Sequence, residues 1–176
     1  MTKEKITHRV PLDTYEGDRE PYVPREQWGP GPWDDEPDRV EWAAISGFPA
    51  LITRSPLTGT LCGYVAVLPG HPLHGKGRED EAVSELRTHG GITYAAGCSG
   101  HICHVPEPGE PDNVWWFGFD TGHAFDRMPA MEAKYRDIPG LEMTSSVYGD
   151  EWQYRDLAYV RASCEVLAMQ LSEAAK

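Results

Sequence analysis

The amino-acid sequence predicts an α+β fold, in which a small antiparallel, or partly mixed, sheet packs against a long C-terminal amphipathic helix. The β-rich runs "ALITR" (residues 50–54) and "LCGYVAV" (61–67) flank a turn that contains Pro and Gly, and so predict a β-hairpin. The aromatic run "VWWFGF" (114–119) predicts a further strand that is buried on both faces. Apolar residues at intervals of three and four predict a helix of about five turns within residues 154–175. These residues are Leu157, Val160, Cys164, Leu167, Ala168 and Leu171.

The rest of the chain divides into an irregular N-terminal arm, residues 1–33, and a single α+β domain, residues 34–176. The arm is rich in charge, Pro and Gly without a hydrophobic period, and we expect its tryptophans to hold it against the domain. Asp35, followed by an acidic turn with Pro37 near its start, predicts a short helix. The remaining predicted elements are a helical turn at "EDEAVSEL", a strand at "GITYA" (91–95), a weaker strand at "HICHV" (101–105) and a loop at "PEPGEPDN".

The charge balance of the chain excludes some classes of partner. The 176 residues carry a formal net charge of -12, and 40% of them are hydrophobic, which is typical of a folded protein. An acidic surface repels phosphate backbones and anionic lipid headgroups. We therefore expect neither a nucleic-acid partner nor a membrane partner.

The sequence also indicates a cellular compartment. No run approaches the roughly 18 apolar residues that cross a bilayer, and the start "MTKEKITHRVPLD" lacks the apolar centre of a signal peptide. These observations predict a cytoplasmic protein. In that compartment the four cysteines, Cys62, Cys98, Cys103 and Cys164, are expected to be reduced thiols rather than a disulfide framework.

The first candidate site follows the aromatic strand, in "GFDTGHAFD". Asp120, His123 and Asp126 are spaced by three residues, so a helix beginning at Asp120 would place all three on one side. Two carboxylates and an imidazole suit a divalent transition metal such as Zn²⁺, Mn²⁺ or Fe²⁺. The alternative is structural, with Asp120 capping a helix and the other two residues facing solvent.

A second candidate site lies in "THGGITYA". His89 precedes Gly90 and Gly91, whose backbone permits close approach of a ligand, and Thr93 follows in the predicted strand. His89 could serve as a general base, as a further metal ligand or as a donor to an anionic ligand. The alternative is a glycine turn that enters a strand without any function.

Two further stretches contain groups that could bind ligands. In "GHPLHGKG", His71 follows a strand and could reach a shared pocket, whereas the spacing of a phosphate-binding P-loop is missing because Gly follows Lys76. The stretch "CSGHICH" (98–104) offers cysteine and histidine ligands for a structural zinc ion. Against that hypothesis, Cys103 and His104 would point to opposite faces of a strand.

Two arginines could interact with these sites. Arg127 directly follows the Asp and His residues and is a candidate for steering an anionic substrate. Arg155, near the start of the C-terminal helix, is more typical of a structural pair with a carboxylate.

Five stretches together resemble a group of small uncharacterised proteins of bacteriophages and actinobacteria. They are "WDDEPDRVEW", "CGYVAVLPGHPLHG", "HGGITY", "WWFGFDTGHAFD" and "YRDLAYVRASCEVLAMQL", and the likeness covers about residues 28–172. The resemblance brings no established activity, cofactor or catalytic residue. It implies an intracellular, phage-related setting, in which such accessory proteins act in host takeover or anti-defence.

The leading functional hypothesis is a small metal-dependent hydrolase that acts on an anionic, phosphoester or nucleotide-like substrate. In it, Asp120, His123 and Asp126 hold the metal, while His89 acts as ligand or base and Arg127 contacts the substrate. The alternative hypothesis is a non-catalytic binding protein, either a nucleotide sponge or an inhibitor of a host protein. A third, a structural phage component, is disfavoured because the sequence shows no coiled coil and no flat exposed strand.

Overall fold

The computed structural model describes residues 4–10, 22–104 and 112–176, apart from the side chains of residues 145 and 146. Its described strands form one six-stranded sheet in the order β1-β2-β3-β4-β6-β5, and every neighbouring pair is antiparallel. The predicted hairpin is confirmed as β3 and β4. The strands are β1 (Lys5–Thr7), β2 (Arg39–Ala43), β3 (Pro49–Arg54), β4 (Leu61–Val67), β5 (Tyr94–Gly97) and β6 (Trp115–Asp120).

The predicted C-terminal helix is confirmed, and it packs on the sheet, mainly on β4. It begins after Asp156, whose side chain accepts a hydrogen bond of 2.8 Å from the backbone N–H of Tyr159. Its buried residues are Val160, Cys164, Leu167, Ala168 and Leu171, as the apolar period predicts. The helices are α1 (Glu81–Ser84), α2 (Pro129–Tyr135), α3 (Ser145–Tyr148) and α4 (Leu157–Ala174). The fold is therefore mixed α+β, as predicted.

The main core lies between α4 and the sheet. Val65, Phe117 and Phe119 are almost fully buried there. Gly63 on β4 allows the helix to come close, because a Cβ at this position would lie 2.6 Å from Cys164 Sγ. The predicted burial of the aromatic strand on both faces is also found, since Trp116 packs in a second apolar cluster with Leu51, Tyr64 and Ile102.

A buried ionic network joins the start of β2 to the segment before α4. Arg54 donates hydrogen bonds of 2.9 Å to the carboxylates of Asp38 and Glu36, and one of 2.6 Å to the Tyr154 hydroxyl. Burial raises the pKa of the Tyr154 hydroxyl, which stays protonated and donates to Glu36. The network ties these segments together without leaving its buried charges unpaired.

Several predicted elements are wrong in detail. No helix follows Asp35; the chain forms β2 instead, because Val40 and Trp42 alternate inward as strand residues do. The arm is not wholly irregular, since β1 pairs with β2, while Trp28 and Trp33 are buried as expected. The weaker strand predicted at residues 101–105 is not found in residues 101–104, which are the part of it that the structure describes. Most of "PEPGEPDN" lies outside the described residues. Within the described chain, no helix is both long and apolar enough to cross a membrane.

Candidate functional site

The candidate site centres on the buried carboxylate of Asp126, in the irregular segment after β6. Its Oδ2 accepts hydrogen bonds from His89 Nε2 at 2.7 Å and from the backbone N–H of His123 at 3.1 Å. Its Oδ1 accepts a hydrogen bond of 2.8 Å from Arg155 Nε. The Asp126 side chain is only 2% exposed, so each of these donors replaces water. The prediction that Arg155 pairs with a carboxylate is confirmed.

Backbone pairing fixes the segment that carries Asp126. Gln153 donates its N–H to the carbonyl of Phe125 at 3.1 Å, and its carbonyl accepts the N–H of Arg127 at 2.9 Å. These bonds hold Asp126 between the end of β6 and the start of α4. The carboxylate is therefore positioned by two parts of the chain that are distant in sequence.

The His89 imidazole bridges the buried carboxylate and an exposed phenol. Its Nδ1 lies 2.9 Å from the hydroxyl of Tyr159, and the two rings meet edge to face. An ionised carboxylate only accepts hydrogen bonds, so Nε2 carries a proton toward Asp126; in the neutral imidazole, Nδ1 is then left to accept from the Tyr159 hydroxyl. Because Tyr159 is 38% exposed, the carboxylate–imidazole–phenol chain runs from the interior to the surface.

His123 packs beside this chain. The centre of its ring lies 5.3 Å from that of His89, and its Nε2 lies 3.7 Å from Asp120 Oδ1. Nε2 is buried and has no hydrogen-bond partner among the described residues. Gly90 makes this packing possible, because its φ is +68° and a Cβ there would lie 1.9 Å from His123 Nε2.

A groove of about 550 Å³ opens at Tyr159, which is a suitable size for a small ligand. The Arg87 side chain forms no ion pair with any other described residue, and the Thr88 hydroxyl lacks a hydrogen-bond partner within the same set. The groove thus presents a cation, hydroxyl groups and an imidazole together. Its lining residues are Arg87, Thr88, His89, Gly90, Tyr159, Ala162, Ser163 and Val166.

The structure does not bring the three predicted metal ligands together as a cluster. The chain after Asp120 forms turns instead of a helix, and the carboxylate of Asp126 is occupied by His89 and Arg155. Asp120 and His123 remain neighbours, and Asp120 Oδ1 also accepts a hydrogen bond of 2.9 Å from the backbone N–H of Gly122. A shared helical face, the basis of the prediction, is therefore absent from this described segment.

Four other residues named from the sequence lie elsewhere or contribute little. His71 hydrogen-bonds to the carbonyl of Leu171 at 2.9 Å and ties a loop to the end of α4. Thr93 is exposed, and nothing lies within 4 Å of a Cβ built on Gly91. Arg127 is not at this site: it pairs with Glu132 and stacks between Trp33 and Trp152.

The sequence reasoning missed Tyr159 and Arg87. Tyr159 lies on the solvent-facing side of α4. The one sequence signal for a site there is that Ser163 and Val166 follow Tyr159 on the same side of the helix. Arg87 comes two residues before His89 in a stretch without regular structure. Neither position has a periodicity that indicates a site.

The cysteines differ from the sequence expectation. Cys98 and Cys103 form a disulfide, so the prediction that all four are reduced is wrong for this pair. Cys62 and Cys164 are free, and burial raises the pKa of both thiols, that of Cys62 to about 12. Within the described chain, one trio of cysteine, histidine or acidic ligand atoms lies close enough to hold a metal ion, within 4.8 Å. It consists of Cys98, Cys103 and His104.

Comparison of the chain with protein-family models, with curated proteins and with solved structures found no match. The function must therefore be inferred from the geometry of the site.

Proposed function

We propose that this protein is a small hydrolase that acts on an anionic, phosphoester or nucleotide-like substrate in the groove beside α4. The observation that carries the proposal is the placement of His89, with Nε2 on the buried carboxylate of Asp126 and Nδ1 on the exposed hydroxyl of Tyr159. A carboxylate that orients an imidazole, which in turn contacts an exposed hydroxyl, is the arrangement of a general base.

The proposed chemistry is a proton relay. A water molecule bound to the Tyr159 oxygen gives a proton to that oxygen as it attacks phosphorus, while the original hydroxyl proton of Tyr159 moves to His89 Nδ1. The bond between phosphorus and the leaving oxygen breaks, and the imidazolium returns the proton to that oxygen through Tyr159. Asp126 stabilises the imidazolium without taking its proton. Each group thus ends the cycle in its starting protonation state.

Arg87 replaces Arg127 in the proposal as the group that contacts the substrate anion. Arg87 lines the groove that His89 and Tyr159 also line, and it forms no ion pair with a described carboxylate. Arg127, by contrast, is already neutralised by Glu132. A guanidinium is suited to phosphate oxygens because it donates two parallel hydrogen bonds.

A divalent metal, Zn²⁺, Mn²⁺ or Fe²⁺, fits this proposal only as a partner of the substrate. Asp120 Oδ1 and His123 Nε2 lie 3.7 Å apart, a separation that two ligands of one ion can have. Metals that act on phosphoesters are often held by one or two protein ligands and by phosphate oxygens. We therefore expect metal binding at this pair to depend on substrate.

The direct test is hydrolysis of a phosphoester panel: p-nitrophenyl phosphate, bis-p-nitrophenyl phosphate and a cyclic dinucleotide, each with and without added Mn²⁺. We expect wild-type turnover of at least one compound and a loss of about 100-fold or more in His89→Gln. His74→Gln is the matched control, since the His74 ring hydrogen-bonds to the carbonyl of Asn113, contacts Trp115 and does not line the groove. Equal rates in the two variants, or no wild-type turnover, would refute the hydrolase.

Binding without turnover would favour the second hypothesis, a nucleotide sponge or an inhibitor of a host protein. The apolar Val166 on the groove wall is an exposed side chain that suits either kind of partner. We place the protein in the cytoplasm, in a phage-infected cell where it is phage-encoded, and propose a role in anti-defence. This setting rests on the resemblance of its motifs to phage proteins.

A further inference from the structure

The cysteine loop, residues 98–104, is folded by contacts that do not depend on its disulfide. Ser99 and Ile102 exchange two backbone hydrogen bonds, of 3.1 and 2.9 Å, and form a tight turn. This turn brings Cys98 and Cys103 face to face. The two sulfur atoms would therefore remain neighbours if the disulfide were reduced.

The cysteine loop is also anchored to the sheet. Ile102 is buried in the second apolar cluster, beside Leu51 and Tyr64. The Arg39 guanidinium donates hydrogen bonds to the backbone carbonyls of His101 and Cys103. These contacts come from β2, β3 and β4, so the loop keeps its place on a rigid support.

His104 supplies a third ligand that is not otherwise used. Its Nδ1 is buried and has no hydrogen-bond partner in the described part of the chain. Its ring packs edge to face on Trp116, with 5.9 Å between ring centres, which fixes its orientation. A buried ring nitrogen without a partner is unfavourable, and a bound ion would satisfy it.

Cys103 and His104 point to the same place because this part of the loop is not a strand. Neighbouring side chains in a strand would lie on opposite faces, which is the objection that the sequence raised. Residues 103 and 104 have no regular structure, and ligand atoms of Cys98, Cys103 and His104 lie within 4.8 Å of one another. The geometry therefore removes that objection.

We propose that the reduced cysteine loop binds one Zn²⁺ through Cys98 Sγ, Cys103 Sγ and His104 Nδ1. A dithiol reductant transfers two electrons and two protons to the disulfide and becomes a disulfide itself. Zinc then displaces the two thiol protons and forms two zinc–sulfur bonds and one zinc–nitrogen bond. Thiolate and imidazole ligands select zinc over harder ions, and the fourth position is filled by water or another ligand. Zinc binding and the disulfide exclude one another.

The remaining cysteines provide an internal comparison. Burial raises the pKa of the thiols of Cys62 and Cys164, so neither thiol ionises readily to bind a metal. The oxidised protein is a second comparison, since its disulfide leaves neither sulfur able to bind as a thiolate.

The experiment is a titration of the full-length protein with Co²⁺, followed by displacement with Zn²⁺, before and after reduction with a phosphine. We expect the reduced protein to bind one equivalent with sulfur-to-cobalt charge-transfer absorption, and the oxidised protein to show none. Cys98→Ser and His104→Ala should each weaken binding by roughly a hundredfold. His74→Gln should bind as wild type does.

Other results would overturn the site. If the reduced protein shows no thiolate–cobalt absorption, these sulfurs are not ligands. If Cys98→Ser and His104→Ala bind with wild-type affinity, the ion lies elsewhere. Circular dichroism of both variants separates ligand loss from unfolding. The result does not depend on phosphoester hydrolysis, since His89 and Asp126 are not part of this loop.

Discussion

Replacing Asp126 by Asn tests whether its buried carboxylate organises the site. The amide has nearly the same shape but only one acceptor oxygen. If that oxygen faces His89, the amide N–H₂ opposes Arg155 Nε, and the 2.8 Å charge-assisted bond is lost. If it faces Arg155, the backbone N–H of His123 loses its acceptor, and His89 must shift its proton to Nδ1. Either arrangement leaves a donor unsatisfied.

The expected loss of stability follows from the exposure of the partners. A lost hydrogen bond to a charged group costs about 1.5–3 kcal/mol. Arg155 is 24% exposed, so water recovers part of this cost, and we expect a decrease of about 2 kcal/mol in the free energy of unfolding. With a urea m-value of about 2 kcal/mol/M, the unfolding midpoint should fall by about 1 M.

Asp120→Asn is the matched control for this substitution. The Asp120 side chain is 35% exposed, and its bond from the Gly122 N–H can be kept by the amide oxygen. We expect a loss below about 0.5 kcal/mol. Urea unfolding followed by tryptophan fluorescence measures both variants, and equal midpoints would refute the reasoning.

Four further substitutions test other parts of the account. Gly90→Ala and Gly91→Ala both place a side chain at a positive φ, but only the Cβ at position 90 would collide with His123. Gly90→Ala should therefore lower the free energy of unfolding, measured by heat or urea, by about 1 kcal/mol more than Gly91→Ala does. Arg54→Met leaves two buried carboxylates with reduced pairing and should cost about 3–5 kcal/mol in urea; a loss below about 1 kcal/mol would contradict this. Burial raises the pKa of the Cys164 thiol above its ordinary value of 9.0, so near pH 9 this thiol ionises in the unfolded chain but not in the folded one. The free energy of unfolding should therefore fall as pH rises past about 9. Cys164→Ala should make that decline in urea midpoints shallower without removing it, because burial raises the pKa of the Cys62 thiol as well.

The sequence predicted correctly those strands and helices whose pattern lies within a single segment of the chain. The β-rich runs "ALITR" and "LCGYVAV" and the apolar period of residues 157–171 correspond to β3, β4 and α4. Around Asp35, however, capping signals for a helix preceded a short alternating run, Val40 and Trp42. Pairing of β2 with both β1 and β3 decided for a strand, and such pairing cannot be read from a single segment.

The candidate site could be predicted only in part for the same reason. His89 and Asp126 were singled out by their neighbourhoods in sequence, yet their contact arises because β5 and β6 pair and bring the two loops together. Tyr159 and Arg155 reach the site through the docking of α4 on β4, which depends on the whole core. Asp120, His123 and Asp126 do not converge as predicted, because their convergence required a helix after Asp120 and the chain forms turns there instead.

The protonation of the His89 ring decides whether it can serve as a base toward Tyr159. Long-range ¹H–¹⁵N correlation spectra near neutral pH, assigned with His89→Gln, report which ring nitrogen carries hydrogen. We expect a neutral ring with the proton on Nε2, facing Asp126, and a bare Nδ1 that accepts the Tyr159 hydroxyl. In Tyr159→Phe the Nδ1 signal should shift while Nε2 stays protonated. A proton on Nδ1 in the wild-type protein would contradict the proposed relay.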